Sequence, residues 1–112
     1  MPCDTFRKGQ ETMEARKIAV EKAMEEIKKR IKEKEIRMQI SEEGAVAFIL
    51  PADVDRSRMT DGCIYRRLVR ENSWEFRNMV AEAEARTGRR VNIATVNNGT
   101  HSHDGGVTWG RH

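Results

Sequence analysis

Between Gln10 and Glu33 apolar residues fall at Met13, Val20, Met24, Ile27 and Ile31, a three-four spacing broken only at Lys17. That spacing lines one face of a helix and predicts a long amphipathic helix over residues 10–33. Its opposite face is charged: Glu25 with Lys29 and Glu26 with Arg30 stand four apart with the acid first, the order that supports a helix. The period then drops to two. Ile36, Met38 and Ile40 alternate with charged or polar neighbours, as do Val46, Phe48 and Leu50, which predicts strands over 35–40 and 45–50. Ser41-Glu42-Glu43-Gly44 supplies polar turn residues and a glycine able to take positive φ, so the strands form a hairpin. Pro51 ends the second strand by removing a ladder donor.

The stretch PADVDRSRMTDG reads as loop, and Thr60-Asp61 can cap a short helix over 62–69. Asn72 with Glu75 three positions on has the form of a capping box for a helix over 73–87, with Gly88 as its stop. Trp74, Met79, Val80 and Ala83 are its expected buried stripe. Val91, Ile93 and Thr95 alternate and predict a strand over 91–96, returned by another over 106–110. The expected architecture is a single α+β domain spanning residues 1–112: a long N-terminal helix, a β-hairpin, two shorter helices and a C-terminal hairpin, with the strands forming a small antiparallel sheet.

The turn of that second hairpin carries a motif. Ser102, Asp104, Gly106, Thr108 and Trp109 occupy every defined position of the pattern Ser-x-Asp-x-Gly-x-Thr-Trp, and the stretch resembles the Asp box of sialidases and other β-propellers. The resemblance implies a hairpin connection in which Asp104 accepts backbone N–H bonds and Trp109 begins the returning strand and enters the core. It covers residues 102–109 only, and a propeller needs several blades of about forty residues each, so neither the sialidase fold nor its activity is implied. The start MPCDT, the middle TDGCIYRR and the tail HSHDGGVTW together resemble a group of small uncharacterised proteins carried by bacteriophages and prophages. That likeness implies a viral accessory protein acting in the host cytoplasm and brings no established activity.

Charge narrows the partners only a little. Lys and Arg number 21 against 18 Asp and Glu, a net +3, and so small an excess over so many compensating charges gives a weak overall field. Lys28, Lys29, Arg30, Lys32 and Lys34 cluster near the end of the long helix, but Glu25, Glu26, Glu33 and Glu35 are interspersed. Nucleic-acid binding is permitted rather than indicated, and the few aromatic residues supply little for a base-stacking platform. No apolar run approaches the roughly 20 residues of a membrane span, and MPCDTFRKGQ lacks the apolar region of a secretory signal. The expectation is a cytoplasmic protein whose Cys3 and Cys63 are free thiols.

Three kinds of chemistry remain open to these residues. His101, His103, Cys3 and Cys63 are the types that hold tetrahedral zinc, yet there is no Cys-x-x-Cys or His-x-x-x-His pair, so no cofactor is expected and zinc is the one alternative. Cys63 in the first turn of a helix, with Arg66 and Arg67 a turn away, has the setting of a lowered thiol pKa, although Ile64 and Leu68 beside it favour a packed cysteine. Glu71, His101 or His103, and Arg89 or Arg90 supply the types of a ribonuclease-like site without its spacing.

The interaction reading rests on the long helix. Met13, Val20, Met24, Ile27 and Ile31 make a stripe longer than a small sheet covers, so part of it is expected to meet another helix, in a homodimer or on a host protein. Cover by the domain's own two helices is the competing outcome. The sequence thus points to a non-catalytic protein-binding module that modulates a host factor. The alternative is a metal- or nucleic-acid-dependent, nuclease-like enzyme using the histidine-bearing tail.

Overall fold

A computed structural model describes residues 13–98, 100, 102 and 108–110. The elements run α1 (Met13–Lys32), β1 (Arg37–Ile40), β2 (Val46–Ile49), α2 (Asp61–Glu71), α3 (Trp74–Thr87) and α4 (Ile93–Asn97), an α+β fold. α1 ends where Lys34 turns left-handed at φ 62°. Lys34 N–H then donates to the Ile31 carbonyl and Glu35 N–H to that of Arg30, the paired bonds that close a helix C-terminus. Glycine is the usual residue at that position; here an ion pair from Arg30 to Glu35 spans the same turn at 2.8 Å.

β1 and β2 pair antiparallel with Met38 opposite Phe48 and Ile40 opposite Val46. Those four side chains share one face by the two-residue period, and all are buried. They join Val20, Met24, Ile27 and Ile31 of α1, Ile64 and Leu68 of α2, Phe76, Met79 and Ala83 of α3, and Val96 of α4 in one core.

A two-stranded sheet has two bare edges, and an isolated hairpin is only marginally stable. Side chains cover both. Arg86 and Arg89, at and just beyond the end of α3, donate to the outward carbonyls of Met38 and Ile40 on β1. On the β2 side the Asp61 carboxylate faces the Phe48 amide.

The hairpin tip is held too. Ser41 Oγ accepts from the Glu43 and Ala45 amides at 3.2 and 3.0 Å. Asn92 N–H donates to the Gly44 carbonyl at 2.9 Å, and Thr95 Oγ1 to that of Glu43 at 3.1 Å. Gly44 sits at φ 90°, and a β-carbon there would lie 2.4 Å from Asn92 Cβ. Gly44→Ala is therefore expected to lower the unfolding free energy by about 1–3 kcal/mol through backbone strain, with the collision adding to it. An unchanged midpoint in urea would contradict this.

Two expectations are corrected. Residues 91–96 are not a strand: Asn92 caps α4, its side chain accepting from Ala94 N–H at 3.0 Å. The inward residues are the neighbours Thr95 and Val96, while Ile93 is 53% exposed, so three alternating residues imitated a period that the cap overrode. The cap of α3 is Ser73, whose hydroxyl accepts from Phe76 N–H at 3.3 Å. Asn72 instead ends α2 in the left-handed conformation at φ 51°, so the expected Asn72–Glu75 box does not form. Thr60 caps α2 as expected, accepting from Cys63 N–H at 3.1 Å. Of the predicted C-terminal hairpin, strand 106–110 and the turn positions Asp104 and Gly106 lie wholly or partly outside the described residues. Ser102 is buried, Thr108 exposed and Trp109 half-buried.

Candidate functional site

Most of the expected interaction stripe is spent inside the chain. Val20, Met24, Ile27 and Ile31 are all under a tenth exposed, with Ile27 completely buried, and only Met13 stands free at 89%. α3 packs against α1 as well as β1, and the stripe shares one core with residues of the sheet and α2, so the cover expected of a second molecule lies within the chain. This corrects the reading of that stripe as the binding surface.

The prominent exposed apolar group lies elsewhere. Trp74 opens α3 at 64% exposure. It was expected in the core, but Phe76, Met79 and Ala83 form the inward row, at the i, i+3 and i+7 spacing of one helix face. Trp74 falls outside that row and flanks a hollow of about 160 Å³ lined by Ile31, Ile36 and Met79, with Lys32, Lys34, Arg37, Glu75 and Glu82 around it. A second hollow of about 230 Å³ shares Ile31, Lys32 and Glu75 and extends to Lys28, Lys29, Leu68 and Ser73. Together they make a groove between the end of α1, the start of β1 and the first turns of α3.

The groove's rim is basic. Lys28 is engaged by Glu71 through both carboxylate oxygens at 3.0 Å. Arg30 is turned away, bonded to Glu26, Glu35 and Asp53 at 2.7, 2.8 and 2.6 Å. The hydrogen bonds that Arg30 donates to Asp53 and Glu26 raise its pKa further, and the Arg30 guanidinium holds the Asp53 carboxyl below its usual value. Among the described residues Lys29, Lys32, Lys34 and Arg37 form no ion pair. The sequence showed the lysine cluster but not its neighbourhood with Trp74, which depends on where α3 meets α1.

No family model, curated protein or solved structure matches this chain.

A separate polar cluster lies at the start of α2. Asp61 is 1% exposed, with Oδ1 accepting from the Arg56 guanidinium. Burial raises its pKa, opposed by Arg56 and by the Phe48 and Ser102 amides. Asp61 Oδ2, Arg56 Nε and Thr100 Oγ1 are buried without a well-formed hydrogen bond. The cluster draws TDGC and the Ser102 backbone of the tail together, segments far apart in sequence. Two residues on, Cys63 is a free, partly exposed thiol. Burial opposes its ionisation, but bonds with Thr60 and the charge of Arg66, whose guanidinium is 3.5 Å from Sγ, outweigh it and lower the thiol pKa.

Of the other candidates, Cys3, His101 and His103 lie outside the described residues, so the structure places Cys63 alone of the four expected zinc ligands. Among the described residues no group of three or more His, Cys, Asp and Glu could hold a metal ion, and no helix is long and apolar enough to cross a membrane. Glu71, named for a ribonuclease-like site, is bound to Lys28 on the groove side of the fold.

Proposed function

We propose that the chain is a small accessory protein that acts by binding another protein, with the Trp74 groove as its docking surface. One observation carries the reading: a tryptophan stands 64% exposed beside a hollow floored by Ile31, Ile36 and Met79. An exposed indole costs apolar hydration that a partner would relieve, and tryptophan beside an apolar pocket is the kind of anchor that dominates interface energetics. With most of the α1 stripe buried, the docking reading moves to the Trp74 groove. A phage origin and a host target agree with the resemblance of the MPCDT, TDGCIYRR and HSHDGGVTW segments, and a second copy of the chain is the other protein partner to test.

Trp74→Ala is expected to leave the fold stable, since an exposed side chain away from the core changes stability by about 0.5 kcal/mol or less, and to abolish partner capture. Quantitative capture from lysogenic or infected cells on immobilised wild type and Trp74→Ala protein checks this, alongside light scattering for self-association. A capture profile and an oligomeric state both identical for the two proteins would defeat the proposal.

A further inference from the structure

We infer that the partner segment seated in the Trp74 groove is acidic: a stretch of protein chain rich in Asp and Glu that inserts one or two apolar side chains between the lysines. The inference rests on the docking reading above and adds the chemistry of what docks. Two hollows of about 160 and 230 Å³ share Ile31 and Lys32 as a common wall, a shape suited to neighbouring side chains of one segment. Ile31, Ile36 and Met79 line the hollow with apolar side chains, which suits an apolar group entering it.

The rim sets the sign. Lys29, Lys32, Lys34 and Arg37 are unpaired among the described residues, whereas the carboxylates lining the same space are Glu75 and Glu82. Four cations against two anions, concentrated around a low-dielectric floor, attract negative charge although the whole chain is nearly balanced. Their long stems also flank the apolar floor while the charged heads stay in water, so a carboxylate at the rim and an aliphatic group at the floor are satisfied together.

A single-stranded nucleic acid would share the charge but not the rest. Sequence-tolerant strand binding stacks successive bases on several aromatic rings, and among the described residues Trp74 is the one aromatic side chain lining the two hollows. Ile31, Ile36 and Met79 offer nothing that recognises a sugar or a base edge.

The test uses the full chain labelled for NMR and three probes: short synthetic peptides with Leu and Phe at i, i+3 and i+4 spacing among Asp and Glu, the same peptides with Asn and Gln replacing the acids, and an oligothymidylate. The expected result is that the acidic peptides shift the Trp74 indole N–H and the amides of residues 31–37 and 74–82. Binding weakens several-fold as salt rises, and it is lost in the exposed double variant Lys32→Glu/Arg37→Glu. Lys17→Glu/Lys22→Glu, the same charge change on the earlier turns of α1, retains it. Equal binding of the neutral peptides overturns the charge inference while leaving the groove a docking site. Oligothymidylate shifting the groove in preference to peptide overturns it in favour of nucleic acid. Silence of the groove toward every probe overturns both this inference and the docking reading.

Discussion

Asp61→Ala is expected to cost about 3–5 kcal/mol of unfolding free energy, because it strands a partner of a buried ion pair. The value should fall toward the lower end, since the Arg56 side chain keeps 29% exposure and can recover some hydration. The loss goes beyond one pair: the carboxylate also faces the amides of Phe48 on β2 and Ser102 in the tail, and alanine leaves both edges of that contact open. Asp61→Asn retains the shape and an acceptor and should cost less than alanine. The pH dependence has a definite sign. Burial raises the Asp61 pKa above its unfolded value of about 3.9, so ionisation of this group works against folding. Its contribution is full below that value and is lost as pH rises through the folded pKa. The advantage of wild type over Asp61→Asn should therefore shrink from acid toward neutral pH in urea denaturation series. A constant or growing advantage would show that Asp61 is not held against ionisation by burial.

Ile27→Ala is expected to lower stability by about 2–5 kcal/mol, the range for emptying a fully packed aliphatic site, while Met13→Ala changes it by about 0.5 kcal/mol or less. The two residues belong to the same periodic row of α1, yet Ile27 is 0% exposed and Met13 89%. Since alanine favours the helix at both positions, the contrast isolates burial. Urea midpoints with unchanged slopes measure it. Similar small effects at both would mean that α1 is not seated on the sheet, α2 and α3 as described.

These two predictions mark where the sequence was legible. The three-four row of α1 and the alternation of Ile36, Met38, Ile40, Val46 and Phe48 are long enough to determine a period, and both elements stand where expected. Thr60 and Gly88 are local signals whose outcome depends on few neighbours, and they too hold, Gly88 ending α3 at φ 70°. The failures are of another kind. Whether a row such as Val20 to Ile31 faces a partner or the chain's own α3 is settled by how three elements meet, which periodicity does not encode. Trp74 misled because its size suggests burial, whereas Phe76, Met79, Val80 and Ala83 already satisfy one face of the helix without it. Ser73 displaced Asn72 as the cap by one residue, the margin within which helix ends are least legible. Asp61 carries the sequence signal of a cap and none of a buried charge, because its partner Arg56 lies in a loop with no period at all.

The candidate site divides in the same way. The lysines from Lys28 to Lys34 were visible as a run, and their mixing with glutamates suggested mutual cancellation. In the fold Arg30 takes up Glu26, Glu35 and Asp53, while the expected Glu25–Lys29 pair does not form, and among the described residues Lys29, Lys32 and Lys34 make no ion pair. Helical geometry sorts a mixed run into faces, and only tertiary packing says which face borders a hollow.

The clasp on the hairpin tip bears on biosynthesis. Thr95 grips Glu43 across 52 positions of sequence, and Arg86 and Arg89 reach β1 across 48 and 49. Both strands are synthesised before any of these three residues. Domains fold as units, so the ribbon's cover waits for residues 86–95, and chains cut short before Arg86 would carry a bare strand margin open to pairing with their neighbours.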